Sequence, residues 1–160
     1  MDAQHHMFFS AARGDLAGIA QALGQGASPT VLNSDGQSAL HLAADAAHVN
    51  ACSLLLNNGA DARQPSGDSH TPLHLAAKAG GLKAVELLLA WGADPKAKTV
   101  RGNTPLHGAS YKGKEDVVRM LLTHGADPEL RNAVGQTAKD RASACGESGV
   151  VELLSLGGAR

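Results

Sequence analysis

The chain has 160 residues, 43 % of them hydrophobic, and its 14 basic and 15 acidic side chains leave a formal charge of −1. That length is the size of one domain, which buries roughly two thirds of the surface its unfolded form exposes, so stability requires neither a metal nor a disulfide. The near-neutral charge excludes a global electrostatic drive toward nucleic acid or anionic membrane, and the chain has no run of about 18 apolar residues that would predict membrane insertion.

Hydrophobicity is carried by Ala and Leu, with one Trp, one Tyr and two Phe, which implies helices that approach closely. In chain order, the first segment, FFSAARGDLAGIAQALGQGAS, predicts a helix pair, and His5 and His6 before it fall in a frayed terminus. Next come GQSALHLAADAAHVNACSLLLNNGAD, SHTPLHLAAKAGGLKAVELLLAWGAD and GNTPLHGASYKGKEDVVRMLLTHGAD, which superpose without gaps at a period of 33, and GQTAKDRASACGESGVVELLSLGG continues the frame. Ser38, Thr71, Thr104 and Thr137 have the hydroxyl an N-cap needs, and Pro72 and Pro105 follow at the first helical position, where a missing N–H costs nothing. The first helix of a unit runs until a break such as Gly80 or Gly113. A second apolar stretch such as AVELLLAWGAD forms a second helix ending at Gly59, Gly92 or Gly125, and DPKAKTVRGN reads as a hairpin-like turn.

The 33-residue period and the Thr-Pro-Leu-His signature, intact at 71–74 and 104–107, resemble the ankyrin repeat family over essentially the whole chain. The resemblance implies an all-α ankyrin-repeat solenoid of stacked helix-turn-helix units joined by hairpin-like turns. The expected organisation is a single domain, 1–160, with an N-terminal capping repeat (1–32), internal repeats (33–65, 66–98, 99–131) and a C-terminal capping repeat (132–160). Lys139, Asp140 and Arg141 replace the apolar signature of the last unit, and Met7, Phe8 and Phe9 that of the first, as expected of caps with no enzyme domain attached.

His70 and His74 stand four apart, a spacing that on one helix would suit zinc. His70 precedes the cap, however, so the two share no helical face. His41, His74 and His107 are one position seen three times, and in stacked helices such positions lie about 8–10 Å apart, too far to share a metal. They read as structural histidines that bond back toward the cap and across to the adjacent turn. Cys52 takes the place of Val85 and Val118 and reads as a buried, inert thiol. Cys145 is too distant to pair with it. His48 and His124 read as solvated surface, and Trp91 reads as lying over the neighbouring repeat, with an anchor for a partner on the convex side as the alternative. No nucleophile with a base, phosphate loop or paired carboxylates can be recognised, so neither catalysis nor a cofactor is expected.

Recognition of a protein partner is the expected function, through the concave surface of turn tips and first helices that the family resemblance implies. The candidate contacts are Asp35, Gln37, Asp45, Asp68, His70, Lys78, Arg101, Asn103, Tyr111, Lys112 and Arg131. The early part of this path is acidic and the later part basic, which predicts a partner that is acidic where it meets repeats three to five. The resemblance implies an adaptor, scaffold or inhibitor, with a structural subunit of a larger assembly as the alternative, acting as a monomer or in a hetero-complex. The N-terminus has no basic and apolar leader and cysteines are few, so cytoplasm or nucleus is the expected compartment.

Overall fold

Hydroxyl residues set where the first helices of the units begin. In the computed structural model, which describes residues 1–157, Ser38, Thr71, Thr104 and Thr137 cap helices starting at Ala39, Pro72, Pro105 and Ala138. In chain order the helices are α1 (Ala3–Arg13), α2 (Leu16–Gly24), α3 (Ala39–Asp45), α4 (Val49–Asn57), α5 (Pro72–Ala79), α6 (Leu82–Ala90), α7 (Pro105–Tyr111), α8 (Glu115–Thr123), α9 (Ala138–Ala144) and α10 (Ser148–Ser155). Among the described residues these ten are the only helices, and there is no strand.

The odd-numbered helices pack one against the next to form one layer, the even-numbered helices form a second, and each unit's first helix packs on its second. Helices this short are marginal alone and depend on the burial of an apolar face. Ala39, Ala43, Ala76, Ala77, Ala109 and Ala142 of the first helices are fully buried. Leu40, Leu73 and Leu106 lie at one repeated position and Leu55, Leu88 and Leu121 at another, all fully or almost fully buried. Truncating one of them to Ala costs about 2–5 kcal/mol.

Between units the chain makes a tight hairpin whose tip bonds to the next. The Gly67 N–H donates to Gly36 O at 3.1 Å, Val100 N–H to Asp68 O at 3.2 Å, and Ala133 N–H to Arg101 O at 2.9 Å. At each hairpin base a polar side chain, from Asn33, Ser66, Thr99 or Asn132, accepts from the N–H four residues on, at 2.9–3.2 Å. Gly36 and Gly102 have positive φ, and a Cβ on them would sit 2.7 Å from Gly67 N and 2.8 Å from Ala133 N. Ser69 holds the same repeat position with φ 65, and Ala47 stands with φ 57 where other units have Gly14, Gly80 and Gly113. Each costs roughly 1–2 kcal/mol relative to glycine.

Two local expectations are corrected. His5 and His6 lie within α1, not in a frayed terminus: Asp2 accepts from His5 N–H at 2.8 Å and pairs with its Nδ1 at 2.9 Å. Gln4 anchors the same helix by bonding Ser28 N–H at 2.9 Å and Ser28 O at 3.0 Å. His48 is not a solvated side chain: it is half-buried, with its ring lying against Gly14 of the preceding unit. His124 is exposed, with its ring nitrogen 2.9 Å from Met120 O. Trp91 follows α6 as its C-cap and keeps 46 % of its surface exposed.

Candidate functional site

The three signature histidines connect each repeat to the next. The backbone N–H groups of Ser38, Thr71 and Thr104 all donate to Nδ1 of the following histidine, at 3.1 Å, so that nitrogen is unprotonated. The proton therefore sits on Nε2. From there His41 donates to His70 O at 2.9 Å, His74 to Asn103 O at 3.0 Å, and His107 to Gln136 O at 2.9 Å. Burial disfavours the imidazolium in all three and pushes His74 down to about 4. In the last unit Asp140 replaces histidine and keeps only the local half of the arrangement, accepting from Thr137 N–H at 2.8 Å.

Both ring nitrogens of His74 are thus committed to the scaffold, which leaves no lone pair for a metal. Although the two residues share no helix, the His70 and His74 rings touch edge to face with centroids 5.6 Å apart. His70 is fixed from its other side by Asp68, 2.9 Å from Nδ1. Asp68 in turn accepts from Ser66 Oγ at 2.6 Å, and that hydroxyl, followed by His70, lowers its carboxyl to about 2. Among the described residues no three His, Cys, Asp or Glu side chains converge on a point that would hold a metal ion. Cys52 is fully buried, and desolvation pushes its thiol up to about 12, whereas Cys145 is exposed. A nucleophile requires the reverse shift.

The candidate contact residues fall into two groups. Asp35 is exposed on the first hairpin tip, Gln37 is half-buried at its base and Asp45 closes α3, all in the second unit. The rest gather toward the C-terminal units. A cavity of about 130 Å³ opens between α5, α7 and α9, with Gly108 at the place where Leu42 and Leu75 stand in earlier units. His70, Lys78, Asn103 and Tyr111 line it, as does Arg141, one of the polar replacements in the last unit. The Arg141 guanidinium lies 4.6 Å from the Tyr111 ring centroid, and Lys112 Nζ lies 5.5 Å from it. A second cavity joins Arg101, Val134 and the other side of Arg141. Arg131 is held within its own hairpin: Nη1 donates to Gly135 O at 2.8 Å and is 4.0 Å from Asp140. Val100 and Val134 project apolar side chains from adjacent tips, 67 % and 77 % exposed.

Asn103 serves scaffold and surface together. Its carbonyl receives His74, its Oδ1 accepts from Asn132 Nδ2 at 3.0 Å, and its side chain borders the cavity. The sequence signal for Arg141 was the pair of departures, Gly108 and Arg141, at one repeat position that is Leu in the two units before.

Two helical layers tied by a repeated cap-to-carbonyl histidine define a helical-repeat solenoid. Ankyrin repeat models match residues 7–99, as three copies, and residues 101–133. The chain belongs to the ankyrin repeat family. Repeats of this family are generally protein–protein interaction modules and typically non-catalytic. Among curated proteins, none matches the chain. Among the described residues, no helix is long and apolar enough to cross a membrane.

Proposed function

We propose that the protein is a non-catalytic adaptor, scaffold or inhibitor, its contact surface the first-helix and hairpin face of units three to five. The observation that carries this reading is the cluster around Tyr111. One aromatic ring, 39 % exposed, is flanked by two cations, Lys112 and Arg141, and Arg141 also lines a second cavity with the exposed Arg101 and Val134. Tyr and Arg are enriched among the residues that dominate interface energetics, and a Tyr ring buries a large area with little loss of side-chain freedom. An apolar and aromatic patch rimmed by cations suits a protein segment that is partly apolar and acidic.

Arg101, Tyr111 and Lys112 are the centre of the proposed contact, and Lys78, Asn103, His70 and Arg131 its surround. Asp35, Gln37, Asp45 and Asp68 are proposed to meet the less acidic part of the partner. Units 1–32 and 132–160 are proposed to cap the stack, with cytoplasm or nucleus as the compartment. The test is affinity capture from native lysate with the wild-type chain and with the Arg101→Ala/Tyr111→Ala/Lys112→Ala variant, each checked for an unchanged unfolding midpoint. Proteins captured by wild type and lost by the variant are expected. Identical capture sets overturn the reading.

A further inference from the structure

The cavity over Gly108 is a consequence of one missing side chain. Leu42 and Leu75 occupy this position in the preceding units, and a Cβ on Gly108 would meet its nearest neighbours, Lys78 Cβ and His74 O, at 3.6 and 4.0 Å, ordinary contact distances. The space is therefore not forced by backbone crowding, and a glycine inside a helix costs about 1 kcal/mol relative to better helix formers. About 130 Å³ is room for several waters, and so for a carboxylate with one or two methylenes.

The charge at the rim is positive. Lys78 and Arg141 line the cavity, and among the described residues neither has an ion-pair partner. Arg141 Nε is buried with no hydrogen-bond partner among the described residues, and stacking on Tyr111 holds the guanidinium at the cavity. The nearby carboxylates are occupied: Asp68 bonds Ser66 and His70, and Asp140 bonds Thr137 N–H and stands by Arg131. His74 and His107 add no charge, because their nitrogens bond the cap and the next unit's carbonyl. A carboxylate entering here finds Lys78 and the open guanidinium edge of Arg141, in a site partly shielded from water where charge-assisted hydrogen bonds are strong.

We propose that the cavity between α5, α7 and α9 is a socket for one Asp or Glu side chain of an acidic segment in the protein partner. Arg141 and Lys78 bind its carboxylate, and Gly108 makes the space. This rests on the reading of the face as a protein-binding surface. It adds a stated chemistry, brings in Gly108, which the reading above does not use, and turns Arg141 from a flank of the Tyr111 ring into a carboxylate ligand.

The test titrates acetyl-hexaglutamate amide into the isotope-labelled protein and follows backbone amide shifts, with acetyl-hexaglutamine amide as the neutral control. Shifts at Gly108, Tyr111 and Asn103 with the glutamate peptide alone are expected, and Gly108→Leu and Arg141→Gln should each weaken them by at least about tenfold. Gly108→Leu restores the residue of the two preceding units and a better helix former, so its unfolding midpoint should not fall. Arg141→Gln, a half-exposed position, reports independently should the leucine variant misfold. Equal shifts with both peptides, shifts elsewhere only, or full binding by either folded variant overturn the socket. If a captured partner is lost by the Arg101/Tyr111/Lys112 variant but held by Gly108→Leu and Arg141→Gln, the face stands and the socket fails. If it is held by all three, the face reading itself has failed.

Discussion

Acidification should loosen this solenoid well before its carboxylates titrate, because the signature histidines work only as neutral bases. Protonating His74 puts an N–H on Nδ1 against the Thr71 N–H it accepts from at 3.1 Å, inside a site only 5 % exposed and beside His70. Burial holds its native value at about 4, against 6.5 for a free imidazole. The unfolded chain therefore binds the proton more readily. The stability tied to His74 is complete above about pH 6.5, falls as pH drops, and is fully lost below about pH 4. Between pH 7 and pH 5 the loss is about 2 kcal/mol for this residue alone, and His41 and His107 add in the same direction. Asp68, held at about 2, keeps its contribution down to about pH 4 and loses it only as pH falls further toward 2. Urea unfolding at pH 7, 6 and 5, followed by helical circular dichroism, measures the slope. His74→Gln, which cannot titrate, should be less stable at pH 7 yet lose about 2 kcal/mol less than wild type on going to pH 5. Equal acid sensitivity in both proteins, or greater stability at pH 5 than at pH 7, refutes the assigned tautomer and its burial.

Backbone strain offers an opposite test. Ala47→Gly and Ser69→Gly relieve the only two positive-φ non-glycine residues among those described, and each should raise stability by about 0.5–1 kcal/mol, after the greater freedom of glycine in the unfolded chain is subtracted. A lower urea midpoint in either variant contradicts the left-handed assignment. Thiol titration of the native protein with an aromatic disulfide at pH 8 should find Cys145 reactive and Cys52 silent until denaturant is added, since Cys52 is fully buried and its thiol lies up at about 12. Two fast thiols in the native state would show that the second-helix layer opens readily.

The scaffold was legible in the sequence because each of its devices is local and repeated. Thr71 with Pro72 announces a helix start, and the third residue on, His74, reaches back to the cap from within one turn. The frayed reading of His5 and His6 failed at the same scale, since Asp2 is an ordinary N-cap that the missing signature concealed. The candidate site was less legible. Lys78, Arg101, Tyr111 and Lys112 could be placed on one face by the repeat period together with the architecture the ankyrin resemblance implies. The stacking of Arg141 on Tyr111 joins residues thirty apart across two units, and no local pattern encodes it. Asp68 and His70 likewise appeared as separate contacts, whereas they form one bonded group resting on His74.

Site-specific photocross-linking in native lysate tests the central claim most directly. A benzoylphenylalanine placed at Tyr111 lies on the first-helix and hairpin face, and one placed at Trp91, at the end of α6 in the other layer, samples the opposite side of the stack at comparable exposure. Binding through the face of units three to five predicts a discrete cross-linked protein from position 111 that is absent from position 91. The same product from position 91 and none from position 111 would contradict it.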